Sequence, residues 1–118
     1  PSGMPGVQTL LPVMLDHVNN NKLKLEQLIN LICENPVKIF GIKNKGYLKE
    51  NYDADITIVD LNKSIKIKND DRQSKCGWSP FHSFSFKGAP IATIVNGKIK
   101  MLNGKIIGSP EGQPLDFN

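Results

Sequence analysis

The sequence predicts an α+β chain, helices first and strands second. Three observations lead there. Apolar residues recur at helical spacing between Leu10 and Ile32, the period changes to two after Lys45, and the dipeptides Asn96-Gly97 and Asn103-Gly104 punctuate the last third as turns. The change from one pattern to the other falls near residues 43–47.

The elements follow in order. Residues 1–6, Pro-Ser-Gly-Met-Pro-Gly, are a loop. From about Gln8 the pattern is helical: Leu10, Leu11, Met14, Leu15 and Val18 form one stripe. Thr9 is a candidate cap, Pro12 fits within the first turn, and Asn19-Asn20-Asn21 ends the helix. A second helix is expected from about Lys24 to Glu34, with Leu25, Leu28, Ile29 and Ile32 on one face, widened by Leu31 and Cys33. A stripe so wide implies packing against several neighbours. Asn35-Pro36 is expected to break this helix, Asn35 then capping a short third one through Phe40 that Gly41 stops.

Beyond Lys45, Ile56 to Val59 reads as a strand, and Ser64 to Lys68 as a second, half-buried one with a wet face. Residues 69–89 read as irregular. Ile91 to Val95 and Lys98 to Leu102 form a hairpin about Asn96-Gly97, and Asn103-Gly104 turns the chain into Lys105 to Ile107. The tail from Ser109 holds two prolines and a glycine and is expected to wrap a surface. Broad helix stripes and strands with no evident closure imply partner surfaces beyond this chain.

Bulk properties exclude several classes. With 118 residues the chain is too short for a (β/α)₈ barrel, which needs roughly 200 or more. It opens on Pro1 without an initiator methionine and is expected to be a piece of a longer protein. The net charge of +4 comes from lysines scattered among acids, with Arg72 the only arginine, which argues against a nucleic-acid partner. Cys33 lies in an apolar helical run and Cys76 in a loop, so no disulfide scaffold is indicated. No signal peptide or membrane-spanning run is evident, and a cytoplasmic setting is expected.

Chemistry-bearing motifs are few. His17 and His82 lie in neither an HxH nor an HExxH pattern, and read as a helix packing residue and a loop hydrogen-bonder. Asp53, Asp55 and Asp60 lack the spacing of a calcium loop and read as turn and strand-end residues. Serines lack a nucleophile elbow. Trp78 and Phe81 are expected to anchor a long loop. No catalytic residue and no metal ligand is assigned within the chain.

Three stretches nevertheless resemble the C-terminal third of dihydroorotases, members of the cyclic amidohydrolases. The first is Pro1-Ser2-Gly3-Met4-Pro5-Gly6-Val7-Gln8-Thr9 with Leu10-Leu11-Pro12; the second runs from Gly46-Tyr47 through Asn51-Tyr52-Asp53-Ala54-Asp55 to Ile56-Thr57-Ile58-Val59-Asp60. The third is Ser74-Lys75-Cys76-Gly77-Trp78-Ser79-Pro80-Phe81, then Gly88 and Thr93-Ile94-Val95-Asn96-Gly97, with Gly112-Gln113-Pro114-Leu115 closing the chain. The second identifies only the superfamily. The third is the most discriminating, since allantoinases and hydantoinases differ between Cys76 and Phe81. Many relatives carry Gly where this chain has His82-Ser83.

The resemblance implies a fold: residues 1–45 as the last loop and helices of a metal-dependent hydrolase (β/α)₈ barrel, residues 46–118 as strands of a small β-sandwich. It implies zinc-dependent, reversible hydrolysis of dihydroorotate to N-carbamoylaspartate in pyrimidine biosynthesis. The zinc would be held by histidines, a carboxylated lysine and an aspartate, all upstream of Pro1. It implies substrate contact through the backbone of Pro1, Ser2 and Gly3, where glycine lets main chain approach a planar ring. The implied partners are that small-molecule substrate, the rest of the parent chain and a second copy. Two other parents are compatible: a catalytically inactive dihydroorotase-like scaffold, and a hydantoinase or allantoinase. Upstream sequence separates them, since an HxH motif and a late Asp-His-Ala-Pro-His would mark the active enzyme.

Overall fold

A computed structural model of the chain describes residues 3–118. Helices come first: α1 (Leu10–Asn19), α2 (Leu25–Ile29), a single wide π-helical turn (Asn30–Glu34) and α3 (Asn35–Phe40). The strands β1 (Ile56–Lys66), β2 (Ser85–Val95), β3 (Lys98–Leu102) and β4 (Lys105–Ile106) follow, and they form one sheet in that order. The pairs β2·β3 and β3·β4 are antiparallel. The chain divides into two compact units: residues up to Leu23 with Asp60–Ala89, and Lys24–Val59 with Pro90–Asn118.

In the first unit α1 buries Pro12 and Leu15. The Thr9 hydroxyl does not cap α1; it donates instead to Gly6 O at 3.3 Å. At the other end the expected Asn stop holds, and Asn19 does more than stop the helix. Its Nδ2 donates to Leu61 O at 2.9 Å and to Lys87 O at 2.7 Å, while Asp16 Oδ1 accepts the Lys87 N–H at 2.8 Å. These bonds fix α1 on strand backbone, where Leu15 meets Gly88. A Cβ on Gly88 would lie 2.6 Å from the Leu15 Cβ, and its φ of +110° suits glycine.

The strands depart from the sequence reading in two places. Residues 56–66 are one strand, not two: Asp60 turns its carboxylate to the Asn62 N–H at 2.8 Å while the backbone stays extended. β2 begins at Ser85, inside the stretch read as irregular. Gly88 and Pro90 concealed it, because both residues are normally poor in strands. Between these strands the long loop is pinned by Phe81, whose ring lies 6.1 Å from Phe84 and 5.6 Å from Phe86. Trp78 is not part of this anchor and stays 39% exposed. Buried Ser79 takes the second place: its N–H reaches Asn69 Oδ1 at 2.9 Å and its Oγ accepts the Phe81 N–H at 3.1 Å.

In the second unit Asn35-Pro36 does not break the helix. The Asn35 N–H donates to Asn30 O, five residues back, so the turn before Pro36 is wide. A proline ring clashes with the carbonyl four residues earlier in a regular α-helix, and a wider turn relieves that clash. Gly41, at φ +63°, stops the run as expected. Leu28 is buried, but Ile29, Leu31, Ile39 and Phe40 are exposed, so most of the expected broad stripe meets nothing within the described residues. Gly46 packs tightly here, since a Cβ would stand 2.5 Å from Val37 Cγ2 and 2.8 Å from Cys33 O. Burial pushes the Cys33 thiol up, aided by nearby Glu34.

The two Asn-Gly turns form as read. Asn96 and Gly97 have φ of 49° and 77°, Asn103 and Gly104 48° and 82°, the doubly positive pattern of type I′ turns. The tail returns along the unit: Phe117 bridges Ile42, and Glu111 pairs with Lys98 at 2.8 Å and with Lys100. These two ammonium groups, Lys100 first, hold the Glu111 carboxyl down to about 2.

Candidate functional site

The site suggested by the sequence is the N-terminal loop. Of its three residues, Pro1 and Ser2 lie outside the described residues, and Gly3 is exposed. No described atom lies within 4 Å of where a Cβ on Gly3 or Gly6 would stand, and neither has a positive φ. Local crowding and backbone conformation, which account for Gly46 and Gly88, therefore do not account for these two. Among the described residues nothing stands within 4 Å of a Cβ at Gly3, and the residue is exposed.

The base of the loop is firmly built. Gly6 O accepts the Thr9 N–H at 3.0 Å and the Leu10 N–H at 2.9 Å, so one carbonyl closes the turn that starts α1. Thr9 is 2% exposed and Val7 96%, which sets the sense of the turn. Gln8 uses both ends of its amide: Nε2 donates to Asp71 O at 3.0 Å, and Oε1 accepts the Gln73 N–H at 2.9 Å. Sequence reasoning missed Gln8, because its partners stand 63 and 65 positions away.

The Asp-Ala-Asp stretch is a structural clasp in the second unit. Lys45 Nζ reaches Asp53 at 2.9 Å and Asp55 at 2.5 Å. Asp55 Oδ1 accepts the Asn96 N–H at 2.9 Å, and Ala54 O accepts the Gly97 N–H at 3.0 Å. Two family-like motifs thus meet, one fastening the other. The Lys45 ammonium, then the Asn96 N–H, hold the Asp55 carboxyl below the usual carboxylate range; Asp55, then Asp53, raise Lys45 in return.

Among the described residues no three His, Cys, Asp or Glu side chains gather closely enough to hold a metal. His82 Nδ1 accepts the Asn69 N–H at 3.1 Å, the loop role expected of it. His17 Nδ1 is buried and finds no partner among the described residues. Ser83 has φ +71°, the left-handed conformation that glycine adopts freely. No helix is long and apolar enough to cross a membrane among the described residues.

The model of the Amidohydrolase family matches residues 6–100, and the chain belongs to that family. It is 41% identical over 114 residues to the dihydroorotase of Pyrococcus furiosus, covering 97% of this chain and 27% of that protein. Among solved structures it resembles an L-hydantoinase (dihydropyrimidinase) from Arthrobacter aurescens, with TM-score 0.86, 37% identity, and coverage of 90% of this chain and 24% of that one. An inactive dihydroorotase-like domain of a Chaetomium thermophilum CAD-like multifunctional protein, at 19% identity and TM-score 0.67 over 89% of this chain and 28% of its own, shares the fold. The chain spans about a quarter of the length of the relatives it matches.

Proposed function

We propose that this chain is the C-terminal part of a dihydroorotase, which hydrolyses the cyclic amide of dihydroorotate reversibly to N-carbamoylaspartate in pyrimidine biosynthesis. The observation that carries the reading is similarity to dihydroorotases along nearly the whole chain. In this reading residues 1–45 complete the catalytic barrel and residues 46–118 form most of the small β-sandwich. The exposed apolar residues of α2 to α3 then face the rest of the polypeptide. The outer strands β1 and β4 each leave one edge for further pairing, with the rest of the polypeptide or a second copy.

The backbone of Pro1, Ser2 and Gly3 touches the substrate in this account, and the open space at Gly3 supports it. Zinc is the implied metal, held by groups outside this chain, whose own described residues do not suit one. A hydantoinase is the second reading, favoured by an L-hydantoinase 38% identical over 108 residues, within the range of the dihydroorotases. Overall similarity therefore does not separate the two activities. The test is a substrate panel on the full-length polypeptide. Turnover of dihydroorotate well above that of hydantoins and allantoin is expected. Preference for a hydantoin would replace the reading, and no turnover with intact fold would favour an inactive scaffold.

A further inference from the structure

The clamp made by Gln8 suggests a role beyond holding two segments together. Four features meet at the base of the loop. Gly6 O closes the turn onto α1 through two backbone N–H groups, and buried Thr9 adds its hydroxyl to the same carbonyl. Gln8 stands between them and spends both ends of its amide on backbone of Asp71 and Gln73. The Gly3 main chain, which leaves this base, is exposed and unobstructed.

A side-chain amide that pairs with one carbonyl and one N–H imitates a strand partner. It fixes rotation as well as distance, which a single hydrogen bond does not. Gly6 O locks the turn and the two bonds of Gln8 fix that turn against Asp71 and Gln73, so the chain at Gly3 leaves from a fixed base. Arg72 lies between the two clamped residues and is itself held by its Nε to Lys68 O at 3.1 Å, so the clamp closes on an ordered segment. Reacting groups held about an ångström out of place lose much of their advantage, so an anchor remote from the chemistry can still govern binding.

We propose that Gln8 is a positioning residue: by clamping Asp71–Gln73 it sets where the main chain of Gly3 meets the substrate. This rests on the reading of the loop as a substrate contact, and the test separates the two. The full-length polypeptide is made as wild type, Gln8→Ala and Gly3→Val. Each is assayed for kcat and KM with dihydroorotate, and amide hydrogen exchange is followed at Thr9 and Leu10, the two amides that close the loop base.

For Gln8→Ala, KM should rise roughly three- to tenfold, the size expected for lost hydrogen bonds, with kcat within about twofold. Exchange at Thr9 and Leu10, whose N–H groups bond Gly6 O, should quicken about threefold or more while the middle of α1 stays protected. If Gly3→Val raises KM but Gln8→Ala moves neither KM nor exchange, the role of Gln8 is overturned and the loop reading survives. If Gly3→Val leaves KM unchanged, the loop reading falls and the positioning role falls with it; faster exchange in Gln8→Ala would then mark a structural clamp alone. Should Gln8→Ala fail to fold, Gln8→Glu keeps the acceptor toward Gln73, sets a repelling carboxylate oxygen against Asp71 O, and should show the same pattern at similar or larger size.

Discussion

Replacing Ser83 by glycine should stabilise the protein, the reverse of what most substitutions do. Ser83 sits at φ +71°, where an L side chain meets its own backbone at a cost of roughly 1–2 kcal/mol. Its N–H bonds Ile67 O at 2.8 Å, so the conformation is held by the pairing of the loop with β1's exit. The residue is exposed, and no hydrogen bond from its hydroxyl is among those found, so little is lost with the side chain. Against the relief stands the greater freedom of an unfolded glycine, about 0.4–1 kcal/mol. The net gain is therefore about 0–1.6 kcal/mol, centred near 0.8 kcal/mol. Urea unfolding followed by fluorescence of Trp78 would show a higher midpoint with unchanged slope. Ser83→Ala is the control: it keeps the Cβ and should stay within about 0.5 kcal/mol of wild type. A glycine variant no more stable than wild type would refute the argument that Ser83 carries strain.

The Asp55 clasp gives two further expectations. Asp55→Ala removes the acceptor of the Asn96 N–H and the ion pair with Lys45 and should cost about 1–3 kcal/mol, whereas Asp55→Asn keeps the acceptor and should cost under about 1 kcal/mol; equal losses by denaturant titration would contradict the assignment. The clasp should also shape the pH profile. Asp55 is depressed on folding, so its contribution is present above the ordinary carboxylate value and fades as pH falls through the folded value; Lys45 is raised, so its contribution holds below the ordinary lysine value and fades as pH rises through the folded one. Stability that is flat in mid-range and falls at both ends in wild type, with both falls weakened in Asp55→Ala, is the expected result, and unchanged falls would count against it.

Much of the fold was legible because its signals are local. Asn96-Gly97 and Asn103-Gly104 announce left-handed turns through residue type alone, and Gly41 ends a helix for the same reason. Failures came where a distant contact overrode a local preference. Pro36 was tolerated by one wide turn, and Asp60 was absorbed into a strand. Gly88 is a strand residue because Leu15, 73 positions earlier, occupies the space of its missing side chain. The breadth of the stripe from Leu25 to Cys33 was plain, but among the described residues Ile29 and Leu31 stay exposed. The candidate loop was visible as a Pro-Gly motif. Its clamp was not, since nothing in one sequence joins Gln8 to Gln73.

We propose that this chain frames a hydrolytic centre whose metal-holding groups lie elsewhere in the polypeptide. The direct test is zinc content and dihydroorotate turnover, measured side by side on the purified 118-residue chain and on the full-length polypeptide. Stoichiometric zinc and turnover are expected only in the longer form. Turnover with stoichiometric zinc in the 118-residue chain alone would contradict the account.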